Sequence, residues 1–308
     1  MRQNAFFFLV IGLLHLSLSQ EIAKPQIQDG CKRTCVVLLG TGTPLSEPDR
    51  SGPAVAIVVD GTPYLVDAGP GVVRRIQAAA VAGLPGGDVT QYKTVFFTHL
   101  HSDHTLGYPD LLLTPWVLGR TNGLNVYGPR GLKAMTRNLL AAYSEDVHIR
   151  TAGLEHEDPQ ALQPIVHEIV PGLVYQDEKV KVFAFRVTHG EFRHAFGYRI
   201  ETADRTIVIS GDTSPTPAMV DNCRGCDVLI HEVYSMDGFK TRSKEMQNYH
   251  SHYHTSSTEL GAIATQAHPG LLILYHELLW NVPEERLRSE MQASYRGKFV
   301  LGHDLEVF

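Results

Sequence analysis

Two observations predict an α/β fold in which sheets and helices are layered. Short apolar runs rich in Val, Ile, Leu and Phe alternate with helical stretches along most of the chain. Many of these runs end directly on a metal-capable side chain: Asp67, His99, His101, His189, Asp212, Glu232 and His276 each follow an apolar strand. A lone histidine after a strand is ordinarily a capped or solvated residue. A set of this size predicts that strands of two sheets converge on one cleft.

The chain opens with Met1-Arg2-Gln3-Asn4, then an unbroken apolar run from Ala5 to Leu14 that continues past His15 to Leu18. Ser17 and Ser19 are small residues placed for cleavage, so residues 1–19 read as a secretory signal peptide. The run is shorter than the roughly 20 apolar residues a membrane span needs, so no stable membrane anchor is expected. Residues 20–35 form a polar N-terminal extension and 36–308 the folded domain, with a secreted or periplasmic location. Cys31, Cys35, Cys223 and Cys226 form two close pairs far apart in sequence. Disulfides suit an exported chain, a four-thiolate zinc site is the sharper alternative, and spacing alone does not give the connectivity.

Within the domain, Val36–Leu39 reads as a buried strand ending in the breaker-rich Gly40-Thr41-Gly42-Thr43-Pro44. That turn does not complete G-x-G-x-x-G, and no helix follows, so a nucleotide loop is discarded. Ala54–Val59 and Pro63–Val66 read as a hairpin about Asp60-Gly61. The second strand runs into Asp67, which either braces a neighbouring metal loop or serves as a turn or cap residue. A helix from about Val72 to Ala82 follows.

Thr94–Phe97 is the next strand, and it delivers Thr98-His99-Leu100-His101-Ser102-Asp103-His104. Histidines at i and i+2 on extended backbone point to one side and can chelate one cation. Asp103 and His104, where the chain turns into a helix, can address a second cation, and imidazole with carboxylate suits zinc. Beyond this come a strand at Leu124–Tyr127, a helix near Gly131–Tyr143 and a polar surface loop at Glu155–Pro164. Strands at Val180–Val187, Phe196–Glu201, Thr206–Ile209, Asp227–Ile230 and Leu271–Leu274 lead to His189, a plain hairpin, Asp212, Glu232 and His276.

Length and composition set outer limits. The 308 residues are 43% apolar and 19% charged, enough for a large core in one or two domains. The net charge of −6, with no long basic run, makes nucleic acid an unlikely partner, although a local patch can hide inside an acidic total.

The H-x-H-x-D-H motif His99–His104, the carboxylate Asp67 and the ordered series His189, Asp212, His276 resemble the metallo-β-lactamase superfamily and its four-layered αββα sandwich. The resemblance implies two zinc ions per chain. His99, His101 and His189 would hold the first, and Asp103, His104 and His276 the second, with Asp212 bridging. Paired cations would provide hydroxide near neutral pH and offset charge on an ester oxyanion.

Leu38–Pro44, Ser210-Gly211-Asp212-Thr213, Leu229–Glu232 and His254-Thr255-Ser256-Ser257-Thr258 resemble the ribonuclease Z-like and arylsulfatase-type branch. There, Asp103, His254 and Glu232 would form the catalytic set, the latter two as a proton relay to the leaving oxygen. Solvent exposure is the competing reading for His254. Two departures stand out. Tyr275 occupies a position that is generally small, and His189 and Asp212 are only 23 residues apart, leaving no room for the long arm that grips transfer RNA.

The expected function is therefore an exported dinuclear zinc hydrolase of small sulfate or phosphate esters, arylsulfatase-type. The alternative is a ribonuclease Z-like phosphodiesterase or endonuclease lacking the arm. β-Lactam hydrolysis, iron-dependent oxygenation and a non-catalytic metal-binding protein rank lower, the last because no ligand is damaged. The expected partner is a small anionic ester, and homodimerisation is left open.

Overall fold

A computed structural model describes residues 32–308. The expected leader, most of the extension and Cys31 lie outside the described residues. The chain that follows pairs into two sheets because its apolar runs are hydrophobic on both faces and need cover on both. The first sheet is β1 (Thr34–Gly40), β2 (Ala54–Val59), β3 (Thr62–Val66), β4 (Thr94–Phe96), β5 (Asn125–Gly128) and β6 (Ile165–Glu168), in that spatial order. β1, β2 and β3 pair antiparallel, and β3 to β6 parallel. The β2–β3 turn has Asp60 at φ 44° and Gly61 at φ 78°, the left-handed pair that a two-residue hairpin requires.

The second sheet runs β13-β12-β11-β10-β9-β8-β7. Its strands are β7 (Gly172–Gln176), β8 (Lys181–Arg186), β9 (Phe196–Glu201), β10 (Thr206–Ile209), β11 (Val228–Tyr234), β12 (Leu271–Leu278) and β13 (Phe299–Leu301). β7 to β10 pair antiparallel and β10 to β13 parallel. The hairpin expected between His189 and Asp212 is β9–β10, turned through residues 202–205.

Three apolar layers hold the sandwich together. Between the sheets lie Val36, Leu38, Val55, Ile57, Phe96, Tyr198, Ile207, Ile230, Ile273 and Tyr275. On the outer face of the first sheet, α1 (Val72–Val81), α3 (Tyr108–Val117) and α4 (Leu132–Ala142) bury Ile76, Leu111, Leu112 and Leu132. On the outer face of the second, α7 (Pro217–Cys223), α10 (Ser257–Ala267) and α11 (Glu284–Ser294) bury Met219, Leu260, Ile263 and Leu287. The order is helix, sheet, sheet, helix, the four-layered αββα arrangement expected.

Some elements depart from the sequence reading. β1 begins at Thr34, so the folded domain takes in the last two residues of the expected extension. The helix after the histidine motif is broken into α2 (Ser102–Thr105) and α3, with Pro109 in the first turn of the latter. α5 (Ser144–Ala152) fills a stretch for which the sequence suggests no element, α6 (Pro159–Leu162) lies inside the expected polar loop, and β6 and β7 are unanticipated. α8 (Met236–Lys240) and α9 (Lys244–Tyr253), also unanticipated, lead up to His254. Cys223 and Cys226 form a disulfide and Cys35 is also disulfide-bonded, which removes the four-thiolate alternative. Among the described residues no helix is long and apolar enough to cross a membrane.

Candidate metal centre

The chain leaves β3, β4, β8 and β10 on polar side chains that meet at one rim. β3 ends at Asp67, a non-glycine residue held at φ 59°. Its carboxylate accepts from Thr98 N–H and Thr98 Oγ1, both at 2.8 Å, and from His104 Nδ1 at 2.8 Å. Asp67 thus braces the metal loop rather than only capping a turn. Beyond β4 come His99 and His101, then Asp103 and His104 on α2. His189 follows β8, Asp212 follows β10, and His276 lies within β12 at φ 49°. Positive φ at two site residues is the kind of local strain that a surrounding structure must enforce.

These residues converge as two overlapping groups. His99, His101, His189 and Asp212 form one, and Asp103, His104, Asp212 and His276 the other; each offers ligand atoms within 4.8 Å of one another. His101 Nδ1 lies 3.0 Å from both His99 Nε2 and His189 Nε2. His189 Nδ1 donates to the Tyr253 carbonyl at 2.7 Å, which leaves Nε2 as a lone pair facing the cleft. In the second group His104 Nε2 lies 3.3 Å from Asp212 Oδ1, while His276 Nε2 lies 3.1 Å from Asp103 Oδ2 and 3.6 Å from Asp212 Oδ2.

His104 Nε2 and Asp212 Oδ1 are buried without a hydrogen-bond partner, a costly state for two polar atoms. Converging imidazole lone pairs and orphaned carboxylate oxygens are what divalent cations resolve. The donor set fits zinc.

Electrostatics agree with the geometry. Burial holds the His99 imidazole neutral and pushes His189 down to about 3. Burial opposes ionisation of Asp212, yet His276 and His104 keep its carboxyl well below the usual range. The imidazoles of the first group therefore present lone pairs while the shared carboxylate is charged. In the second group the Asp212 charge outweighs burial and raises His104 and His276, so a cation there would displace their protons.

A third group sits beside the second. His254 Nδ1 lies 3.3 Å from Glu232 Oε2, while Glu232 Oε1 accepts from Thr255 N–H at 2.8 Å. Burial, reinforced by the Asp212 charge, raises the Glu232 carboxyl well above the usual range, and burial lowers His254 to about 4. His254 is buried rather than solvent-facing, and its Nδ1 and Glu232 Oε2 face each other with no other hydrogen-bond partner.

The family model of the β-lactamase superfamily domain matches residues 62–276, well over half the chain. Ribonuclease Z of Mycobacterium marinum is 32% identical over 278 residues, spanning 88% of this chain and 96% of the relative. The chain belongs to the metallo-β-lactamase superfamily, on its ribonuclease Z-like branch. Ribonuclease Z of Mycobacterium bovis is likewise 32% identical over 278 residues, with the same coverage. A metallo-β-lactamase fold protein from Bacillus subtilis superposes with a TM-score of 0.70 at 17% identity, covering 90% of this chain and 99% of its own. Human short-form tRNase Z gives 0.65 at 23% identity, covering 89% and 98%. These structures share the fold.

In this metallo-β-lactamase scaffold several supporting residues escaped the sequence reading. Thr98 links Asp67 to His99, its Oγ1 lying 3.0 Å from His99 Nδ1. The Thr41 carbonyl accepts the His276 N–H at 2.9 Å, tying the Gly40–Thr43 turn to a ligand. Gly190, at φ +50°, has to be glycine because a Cβ there would fall inside the Tyr253 ring. Tyr275, the departure noted above, packs between the sheets with an unpartnered hydroxyl.

Removal of the brace has a defined consequence. Asp67→Asn is expected to weaken metal affinity by about 10–100-fold through loss of the carboxylate that orients His104. Competition with a chromophoric chelator measures it, and unchanged affinity would return Asp67 to a purely structural turn.

Proposed function

We propose that the chain is an exported phosphodiesterase that cleaves RNA with two zinc ions per chain. The observation that carries this reading is the near full-length similarity to ribonuclease Z relatives, combined with a ligand set undamaged at every position. The aryl sulfate expectation finds no support in these relatives, and the phosphodiester alternative replaces it as the main reading. The expectation that nucleic acid is an unlikely partner is reversed with it. Net charge averages over a whole surface, and here Arg130, Lys133 and Arg137 are exposed at helical spacing around the start of α4. Gly131, in the same turn, sits against Leu100 of the metal loop. These cations favour a polyanion beside the histidine loop, although Glu168 at the helix start offsets part of their charge.

Export rests on the apolar leader at residues 1–19 and on the Cys223–Cys226 disulfide, which suits an oxidising compartment. With β9–β10 a plain hairpin, the substrate is a short or single-stranded RNA that needs no long arm.

In this mechanism His99, His101, His189 and Asp212 would hold one ion, and Asp103, His104, His276 and Asp212 the other. When bound, such a pair supplies a nucleophile at neutral pH and offsets phosphoryl charge. Asp67 and the Tyr253 carbonyl fix imidazole orientation, and His254, set by Glu232, carries a proton to the departing ribose oxygen.

The test compares a single-stranded oligoribonucleotide, an aryl phosphodiester and an aryl sulfate on one zinc-loaded preparation. Both phosphodiesters are expected to be cleaved, and a chelator is expected to stop the reaction. Efficient aryl sulfate hydrolysis with inert phosphodiesters would overturn this reading.

A further inference from the structure

The mouth of the cleft is aromatic. α9 carries Tyr249 and Tyr253 one turn apart, and their rings stack with centroids at 4.3 Å and planes 28° apart. Tyr253 is anchored from beneath, edge-on to His189 at 4.9 Å, with its carbonyl holding His189 Nδ1. Across the first ligand group, Phe192 packs on His101 at 4.4 Å. Tyr253 and Phe192 therefore wall the ligands and are half-buried there.

Tyr249 differs. It lies two ring spacings from His189, is held in a fixed orientation by Tyr253, and remains 38% exposed.

We infer that Tyr249, backed by Tyr253, is the stacking platform for the nucleobase next to the phosphodiester that is cleaved. This inference rests on the RNA reading above. Every base has a π-face, so a stacked ring holds RNA without selecting sequence. A base pinned there also delivers its phosphate to the cleft in one orientation, which shortens the search for a reactive geometry. The same device gives a short hairpin enzyme a grip on single-stranded substrate. A small sulfate or inorganic ester gains nothing from it.

Two oligoribonucleotides identical except for an abasic residue beside the cleaved phosphate, tried on either side of it, test the platform. The wild-type chain is expected to prefer the intact strand by about 5- to 150-fold in kcat/KM on one side, carried by KM, the range a single base stack contributes. In Tyr249→Ala this preference collapses toward unity with zinc content unchanged, and Tyr249→Phe restores it. Tyr249→Leu, which keeps an apolar side chain against Tyr253, provides the same reading if the alanine variant does not fold. A Tyr249→Ala protein that still prefers the intact strand overturns the platform while leaving RNA cleavage standing. A wild-type protein that cleaves an aryl phosphodiester and neither oligoribonucleotide overturns the RNA reading, and the platform with it.

Discussion

Asp212→Ala is expected to abolish turnover and the capacity to hold two metal ions together. Asp212 is the one side chain common to both ligand groups. Its Oδ1 lies 3.3 Å from His104 Nε2, and its Oδ2 lies 3.6 Å from His276 Nε2 and 3.9 Å from His99 Nε2. Its removal leaves three ligands on each side with no shared anion to offset two dications at short range. It also strips the surrounding histidines of the charge that balances a cation there. Loss of several kcal/mol of charge stabilisation corresponds to a fall of about 10³-fold or more in kcat. Metal analysis of the purified variant beside single-turnover rates checks both parts. Retention of two zinc equivalents with full turnover would remove Asp212 from the bridging position.

The fold and the ligand set were legible for one shared reason. Buried parallel strands are continuous apolar runs, and a metal-capable side chain at the end of such a run is conspicuous, as at Phe97-Thr98-His99 or Ile209-Ser210-Gly211-Asp212. Spacing inside His99–His104 then divides that motif between the two candidate ligand groups. What was not legible depends on contacts distant in sequence. β6 and β7 are edge strands with exposed Ile165 and Leu173, so neither shows a clean apolar run. α9 is polar over most of its surface, with only His250 fully buried, and its value lies in the Tyr253 carbonyl and the Tyr249 ring. No local pattern announces either role. Gly190 directly after His189 was the available clue, since glycine beside a ligand marks a close approach by another group.

If the substrate is RNA, as proposed, the net charge misleads for a related reason. The total of −6 is a sum over all faces, whereas a nucleic acid meets one. Buried Asp67, Asp103, Asp212 and Glu232 contribute to that total while being committed to the centre. Counting them as surface charge understates the cationic character of the start of α4.

His254→Ala is expected to slow RNA cleavage by about 10²–10⁴-fold while leaving metal content intact. Its Nδ1 faces Glu232 at 3.3 Å, and Glu232 is in turn fixed by the Thr255 and Thr213 N–H groups at 2.8 and 3.4 Å. His254 belongs to neither of the two ligand groups that share Asp212, so its loss leaves both donor sets complete. The effect should depend on the leaving group. A ribose alkoxide is strongly basic and departs poorly without a proton, whereas an activated phenolate departs without help. An aryl phosphodiester is therefore expected to show a much smaller loss than an oligoribonucleotide on the same variant. Glu232→Gln should follow the same pattern with a smaller amplitude, because the imidazole remains but its orientation and proton supply are weakened. Measuring kcat for both substrates across wild type, His254→Ala and Glu232→Gln separates proton delivery from a packing role. Equal losses on the two substrates would mean that His254 shapes the cleft and carries no proton.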